Sequence, residues 1–122
     1  MKTLAVVITT PPYSPLTTTA ISYIEAALIA DINVIGVFFY QDGAMHANKN
    51  ISIASDEYQA IAQWQRLQQQ YALPLHICIT AAEKRGINCD SIDNEQVNNA
   101  FTVSGLGELV ELTTKASRLV QF

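Results

Sequence analysis

The chain has 122 residues, 49% of them hydrophobic, with 7 Lys and Arg against 11 Asp and Glu and a net charge of −4. That size suits one core, so residues 1–122 are expected to form a single domain. The acidic balance excludes the basic footprint of a direct nucleic-acid binder. No apolar run approaches the roughly 20 residues that a membrane helix needs. Two cysteines, Cys78 and Cys89, in a chain this apolar require no disulfide, so reduced thiols and a cytoplasmic location are expected.

Leu4 to Thr9 is a nearly unbroken apolar run with β-branched residues, the pattern of a strand buried on both faces of a parallel sheet. It is too short for a signal h-region and runs into Thr9-Thr10-Pro11-Pro12 without a small-residue cleavage site, so it reads as a strand rather than a leader. After the loop Thr10 to Pro15, residues Ala20, Ile21, Ile24, Ala27 and Leu28 recur at helical spacing, with Thr17 or Thr18 as N-cap and Asp31 and Asn33 closing the segment. Asn33 to Tyr40 repeats the buried-strand pattern, and Gln41-Asp42-Gly43 supplies a turn.

A polar loop through Asn48 and Asn50 leads to Ser55-Asp56-Glu57, a cap and two acids suited to the positive end of a helix. Tyr58, Ile61, Trp64, Leu67 and Tyr71 mark one face of that helix down to Ala72, and Pro74 cannot continue it. Leu75 to Ile79 is a third short strand, followed by a short helix ending at Gly86. Ile87 to Asn99 is polar and irregular, with one turn around Val97, Ala100 and Phe101. Ser104 is positioned to cap a helix bearing Leu106, Leu109, Val110 and Thr113, and Leu119 to Phe122 reads as a last strand. Strands alternating with helices define an α/β fold, expected as a three-layer sandwich on a mostly parallel sheet of about four to five strands.

Cys78 falls near the carboxyl end of the third strand, the edge along which open α/β sheets place reactive groups. Thr80 and Glu83 form the T-x-x-E pattern of a capping box, which would start a helix at Ala81 and set its positive end beside the thiol. Helix N-termini are among the settings that favour the thiolate, the nucleophilic form of cysteine, and Lys84 and Arg85 add positive charge further along. A lone cysteine in an apolar strand also fits a simple core position, so the local pattern leaves both readings open. His76, two residues back, projects to the same strand face roughly 6.6 Å away by strand rise, too far for a ready-made base. It reads as a structural histidine.

Several blocks stand in order along the chain. Val37-Phe38-Phe39-Tyr40 and Gly43 are followed by Ala47-Asn48, Ala54-Ser55-Asp56-Glu57 and Trp64. Ile77-Cys78 precedes Ala81-Ala82 and Arg85-Gly86. Phe101-Thr102 leads to Ser104-Gly105-Leu106-Gly107, and the chain finishes Val120-Gln121-Phe122. Together these blocks resemble the TusD/DsrE family of sulfur-relay subunits over the whole chain.

That resemblance implies that Cys78 is a persulfide carrier that accepts and passes on sulfane sulfur with neither metal nor organic cofactor. It implies a sulfurtransferase acting with two related small subunits in a heterohexamer, an upstream persulfide donor protein and a downstream acceptor protein. The sulfur would flow toward 2-thiouridine in the wobble position of tRNA, with the nucleic acid handled downstream. DsrE-type subunits, serving dissimilatory sulfur oxidation, and subunits that lack the cysteine and act only as interaction partners are the alternatives within the same likeness. Cys89 has no counterpart in the family pattern and is expected to be an incidental exposed loop thiol. Thr80 stands where alanine is usual, and the first loop lacks the family's glycines.

Other chemistry is disfavoured. Three prolines in the first loop remove backbone donors, and no glycine there lets the backbone approach a phosphate, which argues against a nucleotide or flavin. His46 and His76 show no metal-ligand spacing. Whether His76 or Asp56 tunes the thiol is left open by the sequence.

Overall fold

In the computed structural model, residues 2–89 and 96–122 are described. The elements are β1 (Thr3–Ile8), α1 (Pro15–Ile29), β2 (Asn33–Phe39), a 3-10 segment (Gln41–Ala47), α2 (Ala60–Tyr71), β3 (Leu75–Cys78), α3 (Ile79–Lys84), β4 (Thr102–Ser104), α4 (Leu106–Lys115) and β5 (Arg118–Gln121). Leu4 to Ile8 is buried at every position, as a central strand covered on both faces requires.

The five strands run in the order β4-β3-β2-β1-β5, and every pairing is parallel, so the sheet is wholly rather than mostly parallel. From β1 to β4 the chain steps across the sheet in one direction, and from β4 it returns past three strands to β5 at the far edge. Right-handed crossovers then put α1 and α2 on one face and α4 on the other. The side chains agree: Trp64 of α2 meets Phe39 edge-on at 5.1 Å between ring centres, whereas Leu112 of α4 lies over Gly36, an odd number of residues away on the same strand. The three-layer sandwich is thus present, and Ile21, Ile24, Phe39, Trp64, Leu67, Leu75 and Ile77 are fully buried within it.

Two glycines set close approaches. A Cβ on Gly36 would stand 2.9 Å from Leu112 Cδ2, so the bare backbone there lets α4 settle on the sheet. A Cβ on Gly43 would stand 1.9 Å from the carbonyl oxygen of Ile8, because the 3-10 segment presses backbone to backbone against the end of β1. At the end of α3, Gly86 takes a left-handed φ of 77°. Ile87 N donates to Ala82 O and Gly86 N to Glu83 O, closing a Schellman turn.

Several boundaries differ from the sequence-based expectation. Helix α1 starts at Pro15 with Ser14 as N-cap, its Oγ accepting from Leu16 N, instead of Thr17 or Thr18. Proline is preorganised for the first helical position, and Thr17 is drawn away to donate to Pro11 O. Helix α2 starts at Ala60, so Ser55, Asp56 and Glu57 stay exposed in the preceding turn. The Gln59 side chain donates to the carbonyls of Ala54 and Glu57 and holds that turn together. The turn at Gln41 extends into the full 3-10 segment, and β4 is a strand where no element was expected and Ser104 was expected to cap a helix. Part of the irregular stretch from Ile87 to Asn99 lies outside the described residues; Val97 within it bridges to Asn48.

Candidate functional site

Cys78 is the last residue of β3 and at the same time the N-cap of α3, with extended φ and ψ of −69° and 120°. The helix therefore begins two residues before the expected Ala81. Thr80 is inside it, no side chain caps it, and the Thr80–Glu83 capping box is not formed. The leading N–H groups of the helix are consequently left to whatever lies at its start. Arg85 does not face the thiol: its Nε donates to Asp42 Oδ1 at 3.0 Å and its Nη1 to Ala81 O at 2.9 Å. It ties α3 to the 3-10 segment, which packs over both β3 and α3. Cys78 has no exposed surface.

The strand register brings partners that were not expected. Cys78 pairs with Ser104 and His76 with Thr102 across β3 and β4. Ser104 was expected as the N-cap of α4, but Gly105 occupies that position without a side-chain bond. The Ser104 hydroxyl instead lies 3.0 Å from His76 Nδ1, and Glu108 Oε1 of α4 lies 3.7 Å from the same nitrogen. The sequence signal available for this cluster was the shared strand face of His76 and Cys78. The register that adds Ser104 is non-local.

His46, noted in the sequence only for lacking ligand spacing, is fully buried. Its Nε2–H donates to Thr10 O at 2.9 Å, and its Nδ1 accepts from Trp64 Nε1 at 3.0 Å. Burial pushes its pKa down to about 4, against the raising effect of the Thr10 hydrogen bond. His46 thus anchors the 3-10 segment between β1 and α2. Asp56 is exposed, and no hydrogen bond or ion pair joins it to Cys78 among the described residues.

Cys89 corrects an expectation. It is buried, at 8% exposure, with Sγ donating to Ile87 O at 3.8 Å. Burial raises its thiol pKa, and the nearby Glu83 and Cys78 raise it further. The Schellman turn folds Ile87 back under α3 and carries Cys89 inward with it.

No group of three His, Cys, Asp or Glu residues could hold a metal among the described residues. The proline-rich first loop forms one wall of a shallow cleft of about 210 Å³ lined by Tyr13, Ile53, Glu57 and Tyr58. A larger cleft, about 540 Å³, opens between Lys2, Tyr23, Ile32 and Arg118 at the amino ends of β1 and β5, the edge of the sheet opposite Cys78. Its size does not make it the site of thiol chemistry, since neither cysteine lines it. No described helix is long and apolar enough to cross a membrane.

Comparison with known proteins agrees with this architecture. The sulfurtransferase TusD of Yersinia pestis (strain Pestoides F) is 37% identical over 123 residues, covering 94% of this chain and 93% of that protein. The TusD of Yersinia pseudotuberculosis serotype O:1b (strain IP 31758) matches to the same extent. The crystal structure of the ychN protein from E. coli superposes with a TM-score of 0.78 over all of both chains at 19% identity, a likeness of fold. The DsrE/DsrF-like family matches residues 2–122. The chain belongs to the DsrE/DsrF-like family.

Proposed function

We infer that this chain is a sulfurtransferase subunit of a protein sulfur relay and that Cys78 carries the sulfane sulfur as a persulfide. The supporting observation is the place of Cys78: a cysteine at the carboxyl end of a parallel strand and at the uncapped start of a helix. The 37% identity to proteins named sulfurtransferase TusD supports the same chemistry. The Cys78 thiolate attacks the outer sulfur of a donor persulfide, and an acceptor cysteine then attacks the sulfur that Cys78 holds. Because the thiol has no exposed surface, exchange requires the elements packed around it to open when a donor docks.

The relay we propose leads toward 2-thiouridine in tRNA through a heterohexamer with two related subunits, and it runs in the cytoplasm. The net charge of −4 supports a chain that hands sulfur to a protein and leaves the tRNA to a later component. Incubation with a persulfide donor should add one sulfur mass at Cys78. No adduct on the wild type, or an equal adduct on Cys78→Ser, overturns the carrier role. Normal tRNA thiolation in a Cys78→Ser strain would turn the pathway toward sulfur oxidation.

The complete burial of Cys78 favours a second reading, a non-catalytic interaction subunit. Cys89, also buried, is an internal standard for it. A Cys78 that alkylates at neutral pH no faster than Cys89 supports the scaffold, and one that reacts clearly faster supports the carrier.

A further inference from the structure

We propose that Ser104, His76 and Glu108 form the proton path of the Cys78 thiol, with Ser104 next to Cys78 in the strand register and His76 and Glu108 positioned behind it toward solvent. This rests on the reading of Cys78 as the sulfur carrier. The nucleophile in sulfur exchange is the thiolate, and a sulfur with no exposed surface cannot give its proton directly to bulk water. While the site is closed, the proton leaves through neighbouring protein groups.

The sheet supplies them in sequence. Register neighbours on adjacent strands share a face about 4.8 Å apart, and Ser104 is the register neighbour of Cys78. Its hydroxyl is turned to His76 in the resting chain, and the transfer needs a rotation about its side-chain bond to bring it to the sulfur, a contact of the kind that tightens only when substrate is bound. The Ser104 hydroxyl is 3.0 Å from His76 Nδ1. Glu108, in the first turn of α4, sets a carboxylate oxygen 3.7 Å from that same nitrogen. Exposure rises along this line, from nothing at Cys78 to 13% at the His76 side chain and 31% at Glu108. The ring is held in place from the other side. Its Cδ2 edge lies 3.5 Å from where a Gly36 Cβ would stand, and Leu112 packs over the same spot. The groups facing His76 are thus Ser104 and Thr102 of β4, Glu108 and Leu112 of α4, and Gly36 and Phe38 of β2. Among these only Glu108 carries charge.

The step balances without an added oxidant or reductant. With neutral His76 offering the Nδ1 lone pair, the Ser104 hydroxyl proton moves to Nδ1 as the Cys78 S–H proton moves to Ser104 Oγ. The imidazolium that forms faces the Glu108 carboxylate. The Cys78 thiolate then attacks the outer sulfur of the donor persulfide; the new S–S bond forms on Cys78, the donor S–S bond breaks, and its electron pair leaves on the donor thiolate. The proton held on His76 returns through Ser104 to that thiolate. His76 and Glu108 are positioning residues in this scheme, acting through Ser104.

The test measures the single-turnover rate of persulfide formation on Cys78 at one neutral pH, with urea midpoints recorded for every variant. Ser104→Ala and His76→Ala should each slow loading by about tenfold, less than the 10²–10⁴-fold of an acid–base group in direct contact with its substrate. Ser104→Thr, which keeps a hydroxyl, should restore the wild-type rate, and free imidazole should restore His76→Ala without changing its urea midpoint. Loading of Ser104→Ala at the wild-type rate overturns the path while leaving the carrier role intact, and so does a His76→Ala defect that imidazole does not relieve. A wild-type chain that takes no sulfur overturns the carrier role and the path with it.

Discussion

Acidification should destabilise the fold through His46, which holds the 3-10 segment between the end of β1 and α2. The ring is fully buried and saturated as a neutral tautomer, donating from Nε2 to Thr10 O and accepting at Nδ1 from Trp64. A second proton would have to occupy Nδ1, where Trp64 N–H already points, and would place a charge in the core. Its pKa in the folded chain is accordingly about 4, against an ordinary value of 6.5. Between those values the unfolded chain binds more protons than the folded one, so stability is complete above about 6.5 and is lost as the pH falls toward 4. At 1.36 kcal/mol for each pH unit of separation, the loss from this group alone is about 2 kcal/mol by pH 5 and about 3 kcal/mol by pH 4.

Urea unfolding followed by the fluorescence of the single tryptophan measures this directly. The comparison needed is His46→Gln, which fills much of the space and does not titrate. At pH 7 that variant should be less stable by ~1–3 kcal/mol, because Trp64 N–H or Thr10 O loses geometry. Its stability should fall less steeply with acid, so that the two chains converge by about 2 kcal/mol between pH 7 and pH 5. Subtracting the variant removes the carboxylates common to both, including Glu25, whose pKa is lowered by its hydrogen bond to Arg66. If the two stability curves stay parallel within about 0.5 kcal/mol, the usual error of additivity, then His46 is not held neutral by burial and the reasoning fails.

Glycine substitutions should separate two kinds of close contact. Gly43→Ala drives a Cβ into the backbone of Ile8, which cannot step aside, so a loss of about 3 kcal/mol is expected in the urea midpoint. Gly36→Ala meets only the end of the Leu112 side chain and should lose about 1 kcal/mol or less; equal losses at both positions would contradict the geometry. For Cys89, burial with a raised thiol pKa predicts alkylation at neutral pH well below that of a small free thiol. Cys89→Ala should leave persulfide loading of Cys78 unchanged, and a loading defect in a variant of normal stability would assign Cys89 a part in the transfer.

The parts of the fold that could be read from sequence are those where one physical demand acts alone. Leu4 to Ile8 and Asn33 to Phe39 sit in the middle of a parallel sheet, must be apolar on both sides, and show it as unbroken runs. Thr102 to Ser104 is three residues long, only partly buried, and a strand solely because the edge of β3 has backbone groups to pair, so nothing in its composition marks it. The capping hydroxyls failed for a related reason. Ser, Thr and their neighbours each had one local partner that sequence could name and one distant partner that only the fold supplies. Thr17 went to Pro11 O across the first loop, and Ser104 went to His76 across the sheet.

The same competition shaped the reading of the site. That Cys78 lies near the end of a strand follows from its own neighbours, and the role proposed for it rests on the family blocks. That it has no exposed surface depends on how elements far apart in the chain pack around it, which a local reading does not reach. His76 reads as too far from the sulfur when its strand is considered alone; the second strand sets the Ser104 hydroxyl 3.0 Å from its ring, a neighbour that only the register reveals. The hydroxyl expected to cap α4 is engaged by that histidine, and the N-cap position falls to Gly105, which has no side chain to offer.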